Sequence, residues 1–358
     1  MTMPYAVIRV FALSSLILTT CFLFYTPAQG QTYSVNGAQI EVSILPEKSV
    51  IMLGEPIHLS FIVRNLSGTD LCFSEGGDYR NRLGRPESYD VRAVRSDGKQ
   101  VPKPEILIGM GGVIGGVKVP AGASATIQLF LPHWAPFEET GIYTITCKRT
   151  LGFLDLDAEG LRSNGISVPV QTSVQIEVVG SNHEKMGDII EKLGAEMLGE
   201  DEEKAERASR SLDYINDERT VPYFVKAIDS DTNSLVLSSL RSLSKYSTDL
   251  AIEGIKKVMK ASPKEMRRAS NRQSAISMAE SVRLSAAIAL KDSKHPDAFS
   301  LLLSMRKDSY WGVRLNVVHA LGGLGTPEAI EILREMSKDE NEVLSREAIR
   351  YLSSKEKN

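Results

Sequence analysis

Seven basic side chains and a single acid lie between Lys256 and Arg272. Lys256, Lys257, Lys260, Lys264, Arg267, Arg268 and Arg272 supply positive charge and hydrogen-bond donors, and Glu265 alone opposes them. Residue types in this proportion recognise anions: an acidic protein surface, an anionic lipid or a cell-wall polymer. Ser262-Pro263-Lys264-Glu265 has the spacing of a helix capping box, so a basic, capped helix is expected there. The alternative is a solvated helix extension with no partner.

Other spacings suggest catalysis and fail on inspection. Gly322-Gly323-Leu324-Gly325 could cradle a phosphate, but no strand precedes it and no Gly-Lys-Ser/Thr follows. The four residues instead read as the turn between two helices, with glycine ending the first and Thr326 and Pro327 fitting the cap and first position of the second. The stretch from Gly109 to Gly116 also lacks the lysine of a phosphate loop and is expected to link two strands. Ser242 with Lys245, and Ser304 with Lys307, have the spacing of a serine nucleophile and its base without the companion motifs. His183-Glu184 begins like a zinc-protease helix, but Gly187 stands where the second histidine belongs. Asp155, Asp157 and Glu159 precede Gly160 as at the start of a calcium loop, yet Ile166 occupies the position of the bidentate glutamate. No catalytic residue, cofactor or metal is therefore expected.

The elements that would position these residues follow from the chain's rhythm. Its 358 residues allow two domains, and the net charge of -3 argues against general affinity for nucleic acid. Arg9, the apolar run from Val10 to Tyr25, and the small residues Ala28 and Gly30 resemble a secretory signal, residues 1–30, cleaved before Gln31. Retention as a membrane anchor is the alternative; Leu18-Thr19-Thr20-Cys21 approaches a lipoprotein box, although Thr20 is bulky for it. Cleavage would leave a periplasmic or secreted protein without a transmembrane span. Its two remaining cysteines, Cys72 and Cys147, are then expected to form a disulfide.

From residue 31 to 180 the apolar period is two. Ile57, Leu59, Phe61 and Val63 alternate with His58, Ser60, Ile62 and Arg64, and similar runs recur at Ile127–Leu131, Tyr143–Cys147 and Val174–Val178. Seven or eight short strands with turn signals between them suggest a sandwich of two sheets. After Gly180 the period becomes 3.6. Units starting at Lys204, Leu235, Val282, Val313 and Leu344 each carry leucine at the ninth residue: Leu212, Leu243, Leu290, Leu321 and Leu352. Phe224, Ile255, Leu302 and Leu333 share a second register. Paired amphipathic helices of this length bury their apolar faces only by stacking into a solenoid. Residues 181–203 read as a capping helix and linker, 204–358 as repeats, and an insertion falls around 261–281.

Val282-Arg283, Val313-Arg314 and "HALGGLGTPEAIEILREM" resemble the short HEAT-like repeats named from phycobilin lyases. "GEPIHLSFIVRNLSGTDLCF" and "PAGASATIQLFLPHWAPFEETGIYTITCKRTL" resemble immunoglobulin-like sandwich domains of exported bacterial proteins. The two resemblances imply an all-β immunoglobulin-like sandwich followed by an all-α HEAT-like solenoid. They also imply a non-enzymatic scaffold whose concave face holds a macromolecular partner, an acidic protein or an anionic envelope component. A protease-inhibitor-like sandwich and an accessory subunit of an envelope enzyme are the alternatives.

Overall fold

Alternating burial organises the first half of the chain and helical stacking the second. The computed structural model describes residues 30–74, 77–78, 83–84, 88–104, 115–157 and 160–355. The apolar N-terminal run, Cys21, Gly109 and Glu159 lie outside the described residues, as do the side chains of Asp155 and Asp157.

The N-terminal region contains two main sheets. The first is antiparallel, with β1 (Gln31–Val35), β2 (Ala38–Pro46), β4 (His58–Asn65) and β10 (Ser124–Phe130) in that order. The second runs β3 (Val50–Met52), β12 (Gly160–Val179), β11 (Gly141–Asp157), β5 (Leu71–Ser74) and β9 (Gly116–Val119), with β8 (Asp90–Arg95) also on β11. A two-stranded ribbon joins β6 (Gly77–Asp78) to β7 (Leu83–Gly84). Inward residues of both main sheets form one core, in which Ile40, Ile44, Leu59 and Phe61 meet Phe73, Tyr143, Ile145 and Ile176. Two strands exceed the expected short lengths: β11 and β12 pair over most of their 17 and 20 residues as one long hairpin. Asp155 and Asp157 belong to the end of β11, in strand geometry rather than in a loop.

The expected Cys72–Cys147 disulfide is absent, and both cysteines are free. Register explains why. Phe73 pairs with Phe153 across β5 and β11, which sets Cys72 near the level of Leu154. Cys147 lies about seven residues away along β11, roughly 23 Å at the usual strand rise, whereas bridged Cα atoms sit about 4.4–6.8 Å apart. It is instead flanked by Val91 and Thr172. Burial pushes the Cys147 thiol up to about 12, so it is protonated at neutral pH. In the signal-free chain, a thiol reagent should label partly exposed Cys72 in the native state. Both cysteines should react once unreduced protein is denatured; titration of neither would restore the disulfide.

Among the described residues ten α-helices follow: α1 (His183–Met197), α2 (Glu202–Tyr214), α3 (Val221–Ala227), α4 (Asn233–Leu243), α5 (Asp249–Val258), α6 (Arg272–Asp292), α7 (Ala298–Ser304), α8 (Trp311–Leu324), α9 (Pro327–Met336) and α10 (Glu342–Lys355). The first helix of each unit packs on the next, in the order α2, α4, α6, α8 and α10. Leu212, Leu243, Leu290 and Leu321 are buried along that row, and Phe224, Ile255, Leu302 and Leu333 are buried beneath it. Asn182 caps α1 by accepting from the Lys185 N–H, and α1 packs on α2 and α3.

Only part of the glycine cluster turns the chain. Gly325 ends α8 in left-handed geometry at φ 66°, and the Thr326 hydroxyl then caps α9 by accepting from the Ala329 N–H. Gly322 and Gly323 remain inside α8, against the expectation of a four-residue turn. A Cβ at Gly322 would lie 2.4 Å from the Tyr351 ring, so glycine lets α10 approach at that point.

The Val-Arg openings have a packing role. Arg283 donates from Nε and Nη2 to the Asp308 carboxylate at 2.8 and 3.1 Å, and from Nη1 to the Ala261 carbonyl. Arg314 repeats this on Asp339 at 2.8 and 2.7 Å, and its Nη1 reaches the Asp308 carbonyl at 2.8 Å. Each arginine thus ties its helix to the end of its own repeat and to the preceding turn.

The sheets and helices also meet. Met52 of β3 joins the helical core that contains Met186 of α1. His58 and Ser211 of α2 share a 3.1 Å hydrogen bond, and the Phe130 ring lies edge-on to Tyr214. Crowding from this contact buries His58 to 4 % exposure, although strand alternation placed it outward.

Candidate interaction surface

The basic segment begins in α5. Thr248 caps this helix by accepting from the Ala251 N–H, and Lys256 and Lys257 occupy its last turn, where the helix dipole favours cations. The chain then makes a single 3-10 turn, Pro263–Glu265, whose capping box is completed by the Ser262 N–H donating to Glu265 at 2.7 Å. The capping motif was expected to start a projecting basic helix. It starts this short turn instead, and most of the added length becomes the N-terminal extension of α6, capped by Asn271. Pro263 suits the first position of any helical turn, so the motif alone could not fix its length.

Lys256, Lys257, Lys260, Lys264, Arg267, Arg268 and Arg272 are all exposed. Four of them hold carboxylates. Lys256 pairs with Glu253 at 2.6 Å, Lys257 with Asp229 at 3.1 Å, Arg267 with Asp231 at 3.8 Å, and Arg268 with Glu202. Among the described residues, Lys260, Lys264 and Arg272 have no carboxylate within 4.0 Å, so their charge is directed to solvent. The segment is consequently less positive than its own composition indicates. Asp229, Asp231 and Glu202 escaped sequence reasoning because they arrive from α2 and from the loop after α3; only folding brings them beside the insertion.

The residues weighed for catalysis are engaged structurally. Ser242 donates to Asp213 Oδ1 at 2.6 Å, and Lys245 Nζ donates to the same oxygen at 2.6 Å. Ser242 and Lys245 thereby tie α4 to α2 through a shared carboxylate. Ser304 donates to the Leu301 carbonyl. Two titratable residues outside those motifs, Glu139 and His133, are also engaged: Glu139 is held by Arg95 and Lys99 on the sheet surface. His133 packs edge-on to Phe130, and burial with the nearby Arg210 charge lowers its pKa to about 4. Among the described residues no three His, Cys, Asp or Glu side chains gather to hold a metal ion. No helix there is long and apolar enough to cross a membrane.

The profile of the HEAT repeats family matches residues 273–353. No curated protein matches the sequence. Human deoxyhypusine hydroxylase is similar at 17 % identity over 37 % of this chain and 42 % of its own, with a TM-score of 0.30. The CpcE–CpcF complex of phycocyanin lyase from Nostoc is similar at 20 % identity over 48 % of this chain and 99 % of that one, with a TM-score of 0.32. A designed armadillo repeat protein is similar at 15 % identity over 49 % of this chain and 87 % of its own, with a TM-score of 0.27. Residues 273–353 therefore match HEAT repeats within a helical C-terminal region, and the N-terminal region is sheet-rich.

Proposed function

We propose that this protein is an exported, non-enzymatic scaffold whose repeats hold an acidic or anionic macromolecular partner. One observation carries the reading: a basic insertion is mounted on a row of stacked helix pairs, and among the described residues no carboxylate lies within 4.0 Å of Lys260, Lys264 or Arg272. Stacked repeats offer an extended surface of the kind used for protein binding. The sheet-rich region, read as an immunoglobulin-like sandwich, spaces or docks the repeats. Export rests on Arg9, the Val10–Tyr25 run and the small residues before Gln31.

Affinity capture from the exported fraction should recover a partner with the whole chain and lose it without residues 204–358. Against the captured partner, Lys260→Glu/Lys264→Glu/Arg272→Glu should weaken binding about tenfold, because several exposed charges acting together are needed for a measurable effect. Affinity should also fall with salt. Unchanged affinity in a folded triple variant would move the contact away from the insertion.

A further inference from the structure

The insertion leaves a cleft of about 280 Å³ between the second and third full repeats. Its floor is apolar: Ile228 after α3, Val236 of α4, Ala261 after α5 and Val282 of α6 are all buried. Met266 of the insertion and Met278 of α6 line it and are only partly buried. Methionine is unbranched and polarizable, so such walls adapt to apolar groups of different shape. Ligand pockets generally span about 300–1,000 Å³, which leaves this one room for one bulky apolar side chain rather than a large small molecule.

Charge surrounds this floor. Lys257, Arg267 and Arg268 line the cleft together with Asp229, Asp231 and Glu265, and the carboxylates paired with the three bases, Asp229, Asp231 and Glu202, are all substantially exposed. Exposed pairs of this kind are weak. Arg267 is the most loosely held, with its side chain 80 % exposed and 3.8 Å from Asp231. An incoming carboxylate can therefore take the place of Asp231 without breaking a buried contact. The three bases and three acids of the lining balance, so the sign is set by Lys260, Lys264 and Arg272 of the same segment, which have no carboxylate within 4.0 Å among the described residues and favour an acidic occupant over a basic one.

We infer that this cleft docks an acidic peptide segment of a partner protein, with a bulky apolar residue seated between Met266 and Met278. Its flanking carboxylates lie on Arg267 and Arg268. This site rests on the scaffold reading above and specifies how its partner is held.

Random dodecapeptides displayed on phage and selected on the full chain provide the test. Enriched peptides should combine aspartate or glutamate with leucine, isoleucine, phenylalanine or tryptophan. Measured by fluorescence anisotropy, a synthesised winner should lose about tenfold or more in affinity on Met278→Glu, as expected of a central apolar anchor. It should retain affinity on Met278→Leu, and weaken with salt and on Arg267→Glu/Arg268→Glu. Circular dichroism checks folding; should Met278→Glu unfold, Asn233→Trp narrows the same cleft from the start of α4. Failure to enrich peptides, winners without acids, or affinity indifferent to both cleft variants would overturn the proposal. Loss confined to Lys260→Glu/Lys264→Glu/Arg272→Glu would overturn the cleft while sparing the basic surface. Indifference to every variant would remove both.

Discussion

Arg314→Ala should destabilise the helical region by about 3 kcal/mol, the lower part of the range for removing one member of a buried ion pair. The Arg314 and Asp339 side chains are 10 % and 14 % exposed, so neither is fully solvated after the other is lost. The substitution also takes the donor from the Asp308 carbonyl, which Arg314 Nη1 reaches at 2.8 Å. Arg283→Ala should act similarly through Asp308. By contrast Arg334→Ala, whose pair with Glu331 is exposed, should cost about 0–1 kcal/mol. Urea unfolding followed by helical circular dichroism separates these outcomes. Replacing both members, as Arg314→Met/Asp339→Leu, should restore much of the loss because no unpaired charge remains. If the single variants behave like Arg334→Ala, the ladder contributes no more than surface charge does.

That ladder was half legible. Val282-Arg283 and Val313-Arg314 stood out by repetition, and their spacing placed them at the start of first helices. Nothing in the sequence marked Asp308 and Asp339 as their partners, since each lies 25 residues on among other polar residues. Leucines in register were far easier to read, because burial of one helix face demands the same residue type at the same phase in every unit. Gly322 was misread for the opposite reason. Its neighbour in sequence, Gly323, has open space where a Cβ would go, whereas Gly322 faces a ring from another helix. Composition cannot distinguish a glycine that bends the chain from one that admits a neighbour.

The candidate surface was legible in charge and not in geometry. All seven basic residues are exposed as charge density suggests, but the capping box produced one 3-10 turn rather than a projecting helix. The cleft beside it depends on apolar residues from α4 and α6, whose 3.6 period marks them as core and gives no sign of a gap between repeats. Pairing register likewise lies outside composition: an even count of cysteines suggested a bridge that the offset of β5 along β11 forbids.

Acidification should loosen the junction between the sheets and the first repeat, through His58. Burial is the largest cause, joined by the charges of Arg207, Arg210 and His133; together they lower its pKa from 6.5 to about 3. The folded protein therefore keeps this imidazole neutral, while an undocked or unfolded chain protonates it near the ordinary value. For a lowered histidine, stability is complete above the unfolded pKa and declines as pH falls from 6.5 toward 3. Between pH 7 and pH 5 the loss from His58 alone should reach about 2 kcal/mol. His133, lowered by partial burial and by Arg210, acts in the same direction, but its side chain keeps contact with water, so its contribution is screened and smaller. Arg207 faces Glu47 at 3.6 Å and Arg210 is influenced by Glu206 and Asp213, but Arg210, lowered to about 10, stays charged throughout this window. His58→Gln retains a hydrogen-bonding group opposite Ser211 and removes the titration. Thermal midpoints measured at pH 7 and pH 5 should fall markedly in the parent and much less in this variant. An equal fall in both would assign the acid sensitivity to groups other than the imidazole held against α2.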